Sequence, residues 1–161
     1  MKTALQISAL LENLEHLKAV GDDFRWYLKV TCTSCGEETP DYVYCSPEER
    51  FPITGGRGEA SLVLKCKLCK RENSIDLVQG SIVPYTQQHS GQFASIVVFD
   101  CRGVSLSDFS PRVGWEVKGL ESETIFSDTD LKEREWYDYD EKAGQPVSIT
   151  ELRHQFVAVK N

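Results

Sequence analysis

Six cysteines hold most of the chemistry this sequence can do: Cys32, Cys35, Cys45, Cys66, Cys69 and Cys101. Four of them form two Cys-x-x-Cys pairs, CTSC and CKLC, with 30 residues between the pairs. Two residues between cysteines let one tight turn aim both sulfurs at a single point. Two such turns on neighbouring hairpins supply four thiolates for a tetrahedral zinc, with Zn–S distances of about 2.3 Å. The paired spacing predicts one structural Zn2+ per chain, held by Cys32, Cys35, Cys66 and Cys69. Gly36 follows the first pair, where a positive φ would turn backbone amides toward the sulfurs; Lys70 holds the matching place after the second. Lys65, Lys67, Lys70 and Arg71 surround the second pair. Cations there offset the net negative charge of zinc with four thiolates and lower thiol pKa values. Thiol–disulfide chemistry is the competing reading, although no βαβ pattern surrounds either pair. A rubredoxin-type iron would use the same ligands.

The two remaining cysteines have no neighbouring histidine to act as a base. Cys101 ends the apolar run FASIVVFDC and reads as a buried core thiol. Cys45 lies in YVYCSPEER and reads as part of an exposed loop.

Strands must position these residues, because the hydrophobic period along the chain is two. Alternation marks a strand through Leu5–Leu11, with a helix through Leu10, Leu14 and Leu17 as the alternative. It marks another through Arg25–Cys32, with Trp26, Leu28 and Val30 on one face. Ser61–Cys66 and Asn73–Val78 read as a hairpin around the second cysteine turn. Phe93–Asp100, Trp115–Gly119 and Val147–Val159 follow. In the last of these, Val147 and Ile149 fall on one side and Leu152, Phe156 and Ala158 on the other. Only Asp130–Trp136 suggests a short helical turn. A faint repeat links Leu14-to-Trp26 with Val104-to-Trp115, each leading through a glycine to a tryptophan. The expected fold is mainly β, one 161-residue unit. Within it, two similar β halves pack together: residues 1–82 with the zinc site, and 83–161 metal-free and acidic, held by aromatics. The Gly80–Gln92 stretch reads as their connection.

The chain carries 25 acidic and 18 basic residues, a net charge of -7. Residues 116–141 hold ten of the acids against Lys118, Lys132 and Arg134, and the rest of the chain balances. That segment repels phosphate backbones, so a nucleic-acid partner is not expected. No apolar run is long enough to span a membrane. The N-terminal stretch is interrupted by Gln6, Glu12 and Glu15 and predicts no secretory leader. The expected location is the cytoplasm, with the nucleus as a second possibility, and the default state is a monomer.

Three blocks, FRWYLKVTCTSCGEE, GGRGEASLVLKCKLCKRENSI and WYDYDEKAGQPVSITELRHQF, together resemble the eukaryotic CXXC motif containing zinc binding protein family. The likeness covers nearly the full chain. It implies a mainly β intracellular protein with two similar halves and one zinc in the first, on Cys32, Cys35, Cys66 and Cys69. It implies no catalytic activity.

Other constellations are weaker. Gly55-Gly-Arg-Gly58 lacks the Lys-Ser/Thr and helix of a P-loop and reads as a hairpin loop, with Arg57 a candidate binding residue, as the partner of an anion or as a charge crossing between the halves. Arg71, Glu72 and Asn73 follow the second cysteine turn and are placed to orient it. Trp136, Asp138, Asp140 and Glu141 form an aromatic and acidic segment suited to a basic protein partner. Neither His16, His89 nor His154 has catalytic company in the local sequence. The expected function is therefore a non-enzymatic zinc-binding module that recognises another protein. Thiol redox or metal transfer through the cysteine pairs is the alternative.

Overall fold

In Trp26–Cys32 every second residue (Trp26, Leu28, Val30, Cys32) is buried and those between are half-buried. This is the period of a strand with one face on a core. The same rule builds nearly the whole chain. In a computed structural model, which describes residues 1–56 and 58–160, the strands run in order β1 (Lys2–Glu12), β2 (Leu14–Ala19), β3 (Trp26–Cys32), β4 (Val43–Cys45), β5 (Phe51–Pro52), β6 (Glu59–Ala60), β7 (Leu62–Lys65) and β8 (Glu72–Leu77). After β9 (Tyr85–Thr86) comes a 3-10 turn at Gln87–His89, then β10 (Ala94–Arg102), β11 (Val104–Ser110), β12 (Trp115–Gly119), β13 (Ile125–Thr129), β14 (Trp136–Asp140) and β15 (Gln145–Val159). Among the described residues, no helix is long and apolar enough to cross a membrane.

The pairing between strands is antiparallel throughout. A six-stranded sheet runs β14-β15-β1-β10-β8-β7. A three-stranded sheet, β11-β3-β4, and a four-stranded sheet, β13-β12-β2-β9, accompany it, and β5-β6 form a hairpin. The chain passes from the large sheet to the smaller ones at single residues with positive φ: Asn13 (57°) between β1 and β2, and Gly103 (84°) between β10 and β11. The chain turns sharply there while both flanking strands stay paired.

The core lies where the sheets face one another. Trp26 and Trp115 meet edge to face, with ring centroids 5.7 Å apart at 90°. Phe24 sits 4.8 Å from both, and Phe99 and Phe109 close on Trp26 at 6.3 Å. T-shaped packing suits the ring quadrupoles, positive edge to negative face.

The structure corrects several expectations. The N-terminal segment is the expected strand, β1, and Leu14–Ala19 is a further strand in place of the alternative helix. Asp130–Trp136 forms no helix; the Arg134 amide closes a turn onto the Leu131 carbonyl (2.8 Å), and Trp136 already begins β14. Leu152 is buried in the same core as Val147 and Ile149, not on the opposite side. Glu151 takes a positive φ of 53° where the β1–β15 register shifts, and this extra residue restores Leu152 to the inner face. Cys45 is fully buried, because it stands opposite Trp26 in the β3–β4 pair. Within Gly80–Gln92 the chain is anchored: Tyr85 is fully buried and its hydroxyl lies 2.5 and 2.7 Å from the His89 and Gln92 carbonyls, with one proton shared between them.

Acid is expected to destabilise this fold in two stages. Burial lowers the His154 pKa from its ordinary 6.5, Arg134 adds to the effect, and nearby Asp108 opposes it without prevailing. Burial would raise the Asp108 carboxyl, but the Tyr42 hydroxyl (2.5 Å), the Phe109 amide, His154 and Arg134 hold it below 3.8. Glu116 is likewise held below 4.5: His16 and Lys18 outweigh its burial. The Ser122 hydroxyl holds Asp140 below 3.8 despite burial, helped by the amides of Ala143 and Lys142 and by Thr124. A histidine with a depressed folded pKa loses stability as pH falls below 6.5. Depressed carboxylates contribute fully above their unfolded values and lose that contribution as pH falls through them. The melting temperature should therefore decline shallowly below 6.5 and steeply below 4.5. A flat profile across both windows would contradict these environments.

Candidate metal centre

Strand β3 delivers Cys32 at its last residue, and the turn beyond it carries Cys35. The amide of Gly36 donates to the Cys32 carbonyl (2.8 Å) and that of Cys32 to the Glu37 carbonyl (2.9 Å). Gly36 has a φ of 81°, as the sequence suggested. The β7–β8 turn copies this geometry. Lys70 N donates to the Cys66 carbonyl (2.9 Å), Cys66 N donates to the Arg71 carbonyl (2.8 Å), and Lys70 adopts a φ of 67°. A lysine there pays in backbone strain what glycine avoids. Its ammonium donates to the Lys67 carbonyl (2.9 Å), which ties the turn from outside.

The two turns meet. All four sulfurs lie within 4.8 Å of one another, with Cys32–Cys69 at 3.8 Å and Cys35–Cys66 at 3.5 Å. Sulfurs placed about 2.3 Å from one tetrahedral centre stand about 3.8 Å apart. The donor set and its spacing therefore fit zinc. Cys32 and Cys66 are buried, while Cys35 and Cys69 face solvent.

The surroundings favour negative charge on Cys32 and Cys66. Burial would raise Cys32, but the Asn73 side-chain amide (3.5 Å) and the backbone amides of Cys35 and Ser34 bring it to about 6. The Cys69 and Leu68 amides lower Cys66 against its burial. Cys35 is pushed up to about 12: the Glu37 amide lowers it, but burial and the neighbouring sulfurs prevail. A cation bound among the four sulfurs would offset the mutual repulsion of their thiolate forms.

Two of the three residues after the second turn, Arg71 and Asn73, reach the cysteine turns as their position suggested. Asn73 donates to Cys32, and Arg71 reaches across to the Ser34 hydroxyl (3.2 Å). Glu72 accepts from the Thr54 amide (3.0 Å) and braces the neighbouring loop. Gly103 was not singled out in the sequence. Its carbonyl accepts from both the amide and the hydroxyl of Thr33, at 2.9 and 3.1 Å. A Cβ on it would collide with the Asn73 side chain that touches Cys32. Only its place at the end of an apolar strand hinted at this.

The other candidates do not join the cluster. Arg57 lies outside the described residues. Trp136 is half-buried against Phe126, ring centroids 5.2 Å apart, whereas Asp138 and Glu141 are exposed beside Tyr137 and Tyr139. Asp140 is fully buried and hydrogen-bonded to Ser122 and Thr124, so it cannot present its carboxylate to a partner. Burial raises the thiol pKa values of both spare cysteines, that of Cys101 to about 11.

Comparison with known proteins agrees with this geometry. The family model for the eukaryotic CXXC motif containing zinc binding protein matches residues 4–157. A relative of that name from Homo sapiens is 49% identical over 156 residues, covering 97% of this chain and 98% of its own. A Nematostella vectensis relative is 50% identical over 157 residues, 98% of each chain. The crystal structure of C1orf123 superposes with a TM-score of 0.94 at 48% identity, covering 99% of this chain and 100% of its own. With two cysteine turns converging on one point and this likeness along nearly its whole length, the chain belongs to the eukaryotic CXXC motif containing zinc binding protein family.

Proposed function

We propose that this chain is a non-enzymatic, zinc-stabilised interaction module. Cys32, Cys35, Cys66 and Cys69 hold one Zn2+ whose work is to join the end of β3 to the β7–β8 hairpin. The observation that supports it is the closed donor set: four sulfurs within 4.8 Å of one another leave no coordination position for a substrate or activated water. Protein purified without added metal or chelator should contain one zinc per chain. Cys45 and Cys101 should react with thiol reagents only after unfolding. Folded protein without metal would overturn the reading.

The partner surface in this reading is β14, an edge of the six-stranded sheet. Among the described residues it pairs only with β15, so its outer side can accept a further strand, and exposed Tyr137 and Tyr139 supply apolar contact. Asp138 and Glu141 on the same segment favour a basic segment of the partner. Asp138→Lys/Glu141→Lys should lose those proteins that wild type captures and a zinc-depleted control also keeps. Identical captured sets from wild type and variant would remove β14 from the proposal.

A second reading, transfer of a thiophilic metal, has one observation in its favour: Cys35 and Cys69 are open to solvent. The spare thiols do not help it, since Cys45 and Cys101 are buried. Zinc released reversibly under mild oxidant, with the fold retained, would favour transfer over a fixed structural ion.

The reading also includes a duplication, with residues 1–82 and 83–161 as related halves. The pairing order supports it. Match β1, β2, β3, β4, β7 and β8 with β10, β11, β12, β13, β14 and β15. Among the matched strands four pairings then have twins, β3·β11 and β12·β2, β3·β4 and β12·β13, β8·β10 and β15·β1, β7·β8 and β14·β15, while β2·β9 and β5·β6 have none. The six-stranded sheet reads the same from either edge, and β1·β10 is its centre.

A further inference from the structure

Under that matching, the segments that answer to the two cysteine turns are Gly119–Thr124, after β12, and Asp140–Gln145, between β14 and β15. Their backbones agree closely. The Gly119 amide donates to the Thr124 carbonyl (2.8 Å), as the Cys32 amide does to Glu37 (2.9 Å). Glu123 has a φ of 61° where Gly36 has 81°. The Gly144 amide donates to the Asp140 carbonyl (2.7 Å), as Lys70 does to Cys66 (2.9 Å), with φ values of 66° and 67°. Gly119, Ser122, Asp140 and Ala143 therefore stand where Cys32, Cys35, Cys66 and Cys69 stand.

The side chains converge in the same way. Ser122 Oγ donates to Asp140 Oδ2, in the place of the Cys35–Cys66 sulfur contact at 3.5 Å. The Ala143 amide donates to Asp140 Oδ1 (3.2 Å), as the Cys69 amide faces the Cys66 sulfur. A Cβ added to Gly119 would lie 2.5 Å from Asp140 Oδ2 and 2.9 Å from Ser122 Oγ, so a side chain there points into the shared centre. Thr124 Oγ1 completes the group, donating to Asp140 Oδ1 at 3.0 Å.

Asp140 is fully buried, and among the described residues no basic side chain forms an ion pair with it. A buried carboxylate survives only where hydrogen bonds hold its charge. Two hydroxyls and the turn's own amides do so here. The arrangement ties the end of β12 to the β14–β15 hairpin, and the zinc site makes the same link between β3 and β7–β8.

We propose that the Ser122–Asp140–Thr124 clasp is the metal-free counterpart of the zinc site, cross-linking the second half by hydrogen bonds at a position built like a four-ligand metal centre. The proposal rests on the zinc reading of the first site. It makes the molecule asymmetric in what can loosen it: chelation or oxidation acts on one pair of turns and leaves the other closed.

Full-length protein with Gly119→Cys, Ser122→Cys, Asp140→Cys and Ala143→Cys tests the geometry, expressed with added zinc and desalted before metal analysis. The expected result is a rise from one zinc per chain to two. A folded variant that still holds one overturns the proposal. A wild type without zinc would instead overturn the reading of the first site. Ser122→Ala tests the clasp without depending on how the fourfold variant folds. Amide exchange at Thr124 and Ala143 should accelerate by about tenfold or more, with zinc content unchanged. Unchanged exchange at both positions overturns the clasp.

Discussion

Cys66→Ser is expected to leave the protein without zinc and less stable by roughly 4 kcal/mol or more, the range in which loss of a metal stands out among single substitutions. The serine hydroxyl does not ionise near neutral pH, so three thiolates remain and the tetrahedron is open. The backbone around Cys66 has little else to hold it. Among the described residues its amide and carbonyl bond within the turn alone, to Arg71 and Lys70, at 2.8 and 2.9 Å. Strand β7, which delivers it, is an outer strand of the large sheet and is only partly buried. Loss of the metal should therefore free the β7–β8 hairpin tip and the Cys32–Gly36 turn first, while β3 stays pinned by Trp26, Leu28 and Val30 in the core. Metal analysis, melting and amide exchange together check this, with Cys45→Ser as the control. That variant should also destabilise, since Cys45 is buried, but it should keep its zinc. A Cys66→Ser protein that retains one zinc and melts like wild type contradicts the ligand set.

The four cysteines were legible because metal coordination writes its geometry into spacing: a two-residue gap is the turn. The inner face of β3 was legible because its neighbours alternate in polarity. What escaped the sequence did so for physical reasons. Strands β4, β5 and β6 have three, two and two residues, too few to show a period. Strand β14, WYDYD, looks like solvated loop because an edge strand turns much of its surface to water. Cys45 sits among polar neighbours in sequence, and only its register opposite Trp26 buries it. Asp140 is the hardest case. An acid within an acidic run reads as solvent-facing, and the hydroxyl that holds it belongs to Ser122, 18 residues earlier. Nothing local in the sequence announces that partnership; the matching of strands does.

The second large effect is expected at the centre of the core. Trp26→Ala should cost about 3–5 kcal/mol, the usual range for deleting a buried aromatic and leaving a cavity. For a chain of this size that corresponds to a melting temperature lower by about 6–20 °C. The indole is completely buried, and among the described residues its Nε1 has no hydrogen-bond partner, so the loss is one of packing. The rings around it come from distant parts of the chain: Phe24 from the segment before β3, Phe99 from β10, Phe109 from β11 and Trp115 from β12. Three of the four belong to residues 83–161, so the rings around Trp26 come mainly from the later part of the sequence, which contains no Cys-x-x-Cys pair. This separates the two kinds of damage. Removing a zinc ligand should open one edge of a molecule whose centre persists. Removing Trp26 should lower the stability of the whole chain in one transition, while the native fraction keeps its zinc. Calorimetry and metal content on the same sample distinguish these outcomes. Two resolved transitions in Trp26→Ala, one for each half, would mean that the shared aromatic core does not couple them.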